Sequence, residues 1–164
     1  MLNLQSKPID RDDAFHNMKH LLLTTIVAVV LVGCGSSNLW QDSSKGDFPA
    51  VQKSIKSGAD LNARDALGRT PLYYAVSNEH LKVVELLVKN GANVNAKHKA
   101  NKISLHLAVE LGNQKMVRSL LKAGSKVNAL DSNHDTPLDW AIGTLHNETA
   151  DLLRKHGGKT GEEL

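Results

Sequence analysis

The chain has 164 residues and only one cysteine, Cys34, so it cannot close an intrachain disulfide. The paired Cys spacings of zinc ribbons and redox sites are excluded as well. Aromatic residues make up only 4%, so a core has to be assembled from Leu, Val, Ile and Ala, a supply that suits stacked helices. Excess charge is scarce: a net of +3, without a clustered patch, does not argue for nucleic acid. The apolar run Leu21 to Val32 falls short of the ~20 helical residues that span a bilayer. Motifs of chemistry are missing too. There is no His-Glu-x-x-His and no Gly-x-Ser-x-Gly elbow, and Gly33-Cys34-Gly35-Ser36 lacks the Gly-Lys of a phosphate loop. The eight histidines show no ligand spacing, so we expect no metal, no cofactor and no enzyme.

What is present begins with a leader. Met18-Lys19-His20 precedes the uncharged run Leu21 to Val32, and the run ends at Leu31-Val32-Gly33-Cys34, followed by Gly35-Ser36-Ser37. A basic start, a short apolar stretch and small residues before a cleavage point read as a secretory signal. Leu31 to Cys34 resembles the lipobox of bacterial lipoproteins. That resemblance implies cleavage before Cys34, lipidation of its sulfur and acylation of its new amine, giving an anchor of several chains. In the same family, Gly rather than Asp at position 35 implies sorting to the outer membrane. Residues 1–17 carry Asp10, Asp12 and Asp13, which spoil a basic leader, so Met18 is the better start. The expected organisation is an upstream extension at 1–17, a signal peptide at 18–33, a lipidated tether at 34–37, a repeat domain at 38–158 and a flexible tail at 159–164. A start at Met1 reads either as a gene-model error or as a poorly exported second form, and an alternative start leaves room for a cytoplasmic one.

The rest of the chain repeats. Gly58, Gly91, Gly124 and Gly157 lie 33 residues apart, as do Asn62, Asn95 and Asn128, the leucines 72, 105 and 138, and the alanines 75, 108 and 141. A fixed period of this size means a stacked array. Pro71 and Pro137 suit the first turn of a helix, where a missing N–H costs nothing, and Thr70 and Thr136 can cap it. The periodic glycines supply left-handed residues that end helices. Gly68, Asn101 and His134 share a turn position that calls for positive φ. Val83, Val84, Leu86 and Leu87, with Met116, Val117, Leu120 and Leu121, form apolar stripes on second helices.

The stretches Thr70-Pro71-Leu72-Tyr73-Tyr74-Ala75, Ile103-Ser104-Leu105-His106-Leu107-Ala108 and Thr136-Pro137-Leu138-Asp139-Trp140-Ala141 resemble the ankyrin-repeat family. So do Gly58-Ala59-Asp60-Leu61-Asn62-Ala63 and Gly91-Ala92-Asn93-Val94-Asn95-Ala96. The resemblance implies an all-α solenoid of about four helix-turn-helix units with short β-hairpin fingers. Asp42 and Ser43 in the first unit, and Thr149 and Arg154 in the last, replace apolar residues and are expected on polar outer faces. The family's Thr–His pair is nowhere complete, which predicts modest stability. His80 and His146 are expected to be structural, and Tyr74, Leu107 and Trp140 to form a packing stripe.

In the ankyrin family partners bind the fingers and the exposed face of the first helix. Carried over, this implicates Arg64, Leu67, Arg69, Ser77 and Asn78 in one unit, Lys97, Lys99, Lys102 and Glu110 in the next, and Asp135 in the last. Trp40 and Tyr73, in phase with the consensus His, join them. The five cations among these would steer an acidic protein partner. The implied role is that of a lipid-anchored periplasmic monomer that binds and neutralises a protein. Bacterial ankyrin lipoproteins resembling this chain serve as immunity proteins against phospholipase effectors of type VI secretion. The alternative is a scaffold or protector of a resident periplasmic enzyme such as a catalase. No nucleic acid is expected.

Overall fold

The computed structural model describes residues 38–164, so Cys34 and the leader lie outside the described residues. Among the described residues eight α-helices form four pairs: α1 (Leu39–Lys45) with α2 (Phe48–Lys56), α3 (Pro71–Ser77) with α4 (Leu81–Lys89), α5 (Ser104–Glu110) with α6 (Gln114–Lys122), and α7 (Pro137–Gly143) with α8 (Asn147–Lys155). First helices pack on first helices and second on second, so the pairs stack into two layers. None of the helices among the described residues is long and apolar enough to cross a membrane.

Local chemistry sets the helix ends. Thr70 and Thr136 accept the N–H groups of Tyr73 and Asp139 at 3.3 Å, with proline in the following position. Ile103 holds the same place in the middle unit but has no oxygen to offer. There the contact is inverted, and the Ile103 N–H donates to His106 Nδ1 at 3.2 Å. Each second helix ends in a Schellman motif. Ala92 N–H reaches the Leu87 carbonyl and Gly91 N–H that of Val88, both at 3.0 Å, with Gly91 at φ +96°.

The fingers between units are tighter than hairpins. Each is closed across its base by one backbone bond, Asp65 N–H to Arg69, His98 N–H to Lys102, and Asp131 N–H to Asp135, and turn bonds from Gly68 N–H to Asp65 and from His134 N–H to Asp131 lie inside the first and third. With one closing bond no ladder forms, and no strand occurs among the described residues. Gly68, Asn101 and His134 all take positive φ, as their shared position predicts. Neighbouring fingers are also joined in series, Lys99 N–H to Leu67 O at 3.0 Å and Ser132 N–H to Ala100 O at 2.9 Å.

The core is one continuous seam of Leu, Val, Ile, Ala and Met. Leu72, Val83, Val84, Leu87, Leu105, Met116, Val117, Leu120, Leu138 and Leu153 are fully or almost fully buried. Two expected polar end residues turn out to be interior. Ser43 and Thr149 are buried, because their helices keep the orientation of the central units and a smaller side chain simply replaces the apolar one. Asp42 is half-buried, with one carboxylate oxygen in the interior, and Arg154 is exposed as expected and paired with Asp151 at 3.3 Å.

Residues 159–164, read from the sequence as a flexible tail, have a defined place. Lys159 O accepts the Thr136 hydroxyl at 2.7 Å, Gly161 N–H donates to Asp139 Oδ2 at 2.8 Å, and Gly161–Glu163 makes a 3-10 turn. The tail covers part of the face that α7 would present to a following unit.

Candidate partner-binding face

The first helices and the fingers share one side of the stack, tied together by side chains that recur with the repeat. Asp65 is the organising group in the first complete finger. Its carboxylate accepts the N–H groups of Leu67 and Arg69, the Arg69 guanidinium at 2.7 Å and the Tyr74 hydroxyl at 2.9 Å. Desolvation pushes the Asp65 pKa up, but hydrogen bonds from Arg69, Tyr74 and Leu67 outweigh it and hold the carboxyl at about 2. Asp131, 66 residues later, does the same work. It accepts from Asn133 N–H, Asp135 N–H and the Trp140 indole, the last at 3.1 Å. Desolvation opposes its ionisation as well, and the same kind of bonds win, lowering its pKa.

The middle finger breaks this pattern. His98 stands where the aspartates stand, and Leu107 stands in place of Tyr74 and Trp140. His98 lies edge-on to the Tyr73 ring, 4.6 Å between centroids, and its Nε2 is buried with no hydrogen-bond partner. Desolvation, then the positive charge of Lys102 and the proximity of His106, depress its pKa. His106 is buried too, and desolvation lowers its pKa. Its Nδ1 accepts from Ile103, so Nε2 carries the proton and donates to the Asp135 carbonyl at 3.4 Å. This bond ties the third unit to the fourth without a Thr–His pair.

All but Asp135 of the residues expected to meet a partner fall into two groups. Trp40, Arg64, Arg69, Tyr73, Ser77, Asn78, Lys102 and Glu110 are engaged within the molecule. The Trp40 indole donates to Ala63 O at 3.0 Å, and Arg64 donates to the Lys97 carbonyl. Arg69 pairs with Asp65 at 2.7 Å and lies 4.9 Å from the Tyr74 ring centre. Lys102 Nζ sits 3.3 Å from the Trp140 ring centre and 3.7 Å from Glu110. Ser77 and Asn78 both donate to the Tyr74 carbonyl, at 3.0 and 2.9 Å. Leu67, Lys97 and Lys99 form the second group: they are exposed, and neither lysine makes an ion pair with a described residue. Asp135 is half-buried. The free outward cations of the basic ridge are therefore Lys97 and Lys99 beside the exposed Leu67, while Arg64, also exposed, is held against the Lys97 carbonyl and Arg69 and Lys102 are tied to carboxylates.

Two shallow depressions lie on this side, one lined by Trp40, Ser44, Lys45 and Tyr74, the other by Asp135, Asp139, Trp140, Gly143 and Thr144. Among the described residues no group of three or more His, Cys, Asp or Glu is placed to hold a metal. The Asp65–Tyr74 and Asp131–Trp140 pairs were not singled out by sequence reasoning. A signal existed, since a carboxylate precedes an aromatic donor by nine residues in two units, and both members change together in the third.

A two-layered stack of helix pairs joined by tight fingers defines the molecule as a helical-repeat solenoid. The chain belongs to the ankyrin-repeat family: the family model described as "Ankyrin repeats (3 copies)" matches residues 39–131 and again 105–162. A 39-residue stretch is 46% identical to acyl-CoA-binding domain-containing protein 2 of Arabidopsis thaliana, covering 24% of this chain and 11% of that protein. The chain thus spans about a tenth of the length of the curated relative it matches, and the likeness extends over little more than one repeat.

Proposed function

We propose that this chain is a membrane-tethered inhibitor, held by a lipidated Cys34 at the periplasmic face of a bacterial outer membrane, that captures and blocks one protein partner. Membership of a family whose repeats mediate protein–protein contact supports the binding role. The observation that carries it furthest is the exposed group Leu67, Lys97 and Lys99 on adjacent fingers. It offers an apolar contact flanked by two cations that no described carboxylate neutralises. An acidic surface on the partner would be steered toward it. A phospholipase effector is the partner that best fits a tether, since anchoring concentrates the inhibitor beside the lipid such a toxin attacks.

The test uses the full chain and a purified phospholipase effector encoded beside its gene. Stoichiometric inhibition of lipid hydrolysis, lost on Lys97→Glu with Lys99→Glu, is the expected result. An effector that works unimpeded beside the intact chain would sink the reading. The tether has its own check: incorporation of a labelled fatty acid, abolished by Cys34→Ser.

A further inference from the structure

The charge of the described chain is unevenly placed. The four second helices carry nine cations (Lys53, Lys56, Lys82, Lys89, Lys115, Arg118, Lys122, Arg154 and Lys155) against three acids, Glu85, Glu148 and Asp151. Everything else between residues 38 and 164 carries eight cations against eleven acids. The second-helix layer is thus net +6 and the remainder net −3, a division hidden in a whole-chain net of +3. Within the layer the excess sits on α2, α4 and α6, where seven cations meet only Glu85; on α8 the charges cancel. All seven are exposed, and none makes an ion pair with a described residue. Lys56, Lys89, Lys122 and Lys155 recur every 33 residues, each in the last turn of its helix. The stack therefore aligns them as a row.

We propose that this face, on α2, α4 and α6, lies against an anionic lipid surface. The inference deepens the tethered reading above and takes only the anchor from it. Cys34 precedes Leu39, the first residue of α1, by five positions, a span of at most ~18 Å of extended chain. The three basic units are also the three nearest the anchor in sequence. A cluster of cations beside a lipid anchor is the second signal that stable, oriented membrane attachment requires. Six of the seven cations are lysine, mobile point charges suited to a fluid sheet of headgroups. Bidentate recognition of single phosphates favours arginine. Nucleic acid fits less well, because the exposed Phe48 is the one aromatic on the second helices of these three units, where successive bases need a series of rings to stack on. With this face on the bilayer, the opposite layer with its fingers is left free for the partner.

The test reconstitutes the full acylated chain on vesicles of phosphatidylcholine alone or mixed with phosphatidylglycerol, followed by brief amine acetylation mapped by mass spectrometry. On the anionic vesicles Lys56, Lys89, Lys115 and Lys122 should react about tenfold more slowly, an effect erased by high salt. Lys97 and Lys99 should react alike on both. Equal reactivity of all six lysines on both vesicles overturns the proposal while leaving the anchor intact. Protection by duplex DNA in solution but not by anionic vesicles overturns it too, assigning the face to nucleic acid. If instead the anchor is wrong, the chain leaves neutral vesicles but keeps its lysine protection on anionic ones, which sustains the proposal. As a second measurement, Lys89→Gln, Lys115→Gln, Arg118→Gln and Lys122→Gln together should weaken partition onto anionic vesicles by roughly 600-fold, at about fivefold per cation.

Discussion

Position 46 and its counterparts 79, 112 and 145 all take a left-handed backbone, with φ between 57° and 69°. Glycine fills the first and third, and there is a reason beyond φ. A Cβ on Gly46 would lie 2.6 Å from the His80 ring, and one on Gly112 would lie 2.7 Å from His146. Those rings donate across units, to the Ser44 carbonyl at 2.9 Å and the Glu110 carbonyl at 3.2 Å. The second unit solves the same problem with another pair, Glu79 accepting from Asn113 at 3.0 Å. Leu145 has no counterpart pressing on it, yet it keeps positive φ and is 79% exposed. Nothing in the structure explains a leucine there. Leu145→Gly should relieve about 1 kcal/mol of backbone strain, partly offset by a more flexible unfolded chain, and raise the melting temperature by a few degrees. Gly112→Ala should lower it, and scanning calorimetry on the two variants compares them directly.

Two histidines, His106 buried and His98 half-buried, belong to the same scale. Desolvation, the first cause in each, lowers the pKa of His98 and of His106 in the fold. Below the ordinary value of 6.5 the unfolded chain then binds more protons than the folded one, so stability falls as pH drops. Stability should be level above pH ~6.5 and decline toward pH ~5. Melting temperatures taken across that window check it, and the slope should shrink in His98→Gln. A flat profile in the parent chain would mean that both groups titrate as if in water.

At the scale of the element, the periodic asparagines show what joins one unit to the next. Asn95 Oδ1 accepts the Lys126 N–H at 2.8 Å while its amide donates to Gly124 O at 3.1 Å. Asn128 repeats both bonds with Lys159 and Gly157, and Asn62 accepts from Asn93 at 2.8 Å. The tail is thus seated by the same device that seats a repeat. The helices, caps, glycine ends and turn positions were legible because each depends on residues near in sequence, repeated at one spacing. The tail was not, because it lacks an apolar pattern and is held by polar contacts with Thr136 and Asp139. Nor was the interior position of Ser43 and Thr149, since hydrophilicity says nothing about orientation once a helix is fixed by its neighbours. Gly161→Ala tests the tail. Its Cβ would stand 2.3 Å from the His134 carbonyl, so the turn should lift, and Thr136 and Asp139 should lose their bonds to Lys159 and Gly161 while keeping those to each other. Partly exposed hydrogen bonds contribute about 1 kcal/mol each, and a drop of several degrees in melting temperature is expected. Faster amide exchange at position 161 in the variant would locate the cause.

For the whole molecule, the division between cations that hold the fold and cations that face outward decides how a partner would be sensed. Arg69 and Lys102 look equivalent to Lys97 and Lys99 in the sequence, all four on adjacent fingers. Reversing Arg69 would take the one cation from Asp65 and set a second carboxylate beside it, and reversing Lys102 would set a carboxylate against the Trp140 face and Glu110. Loss of binding in those variants would report damage as readily as contact. Lys97→Glu with Lys99→Glu avoids the confusion, because neither side chain has an ion partner among the described residues. The double variant should melt within about 0.5 kcal/mol of the parent, yet associate more slowly with an acidic partner. Its rate should also lose the salt dependence that electrostatic steering imposes. Arg69→Glu should show the opposite order of effects, a lower melting temperature first and weaker binding as its consequence. Stopped-flow association at two ionic strengths, beside calorimetry on the same preparations, separates the two. A double variant whose association rate and salt dependence match the parent would remove the fingers from the encounter surface.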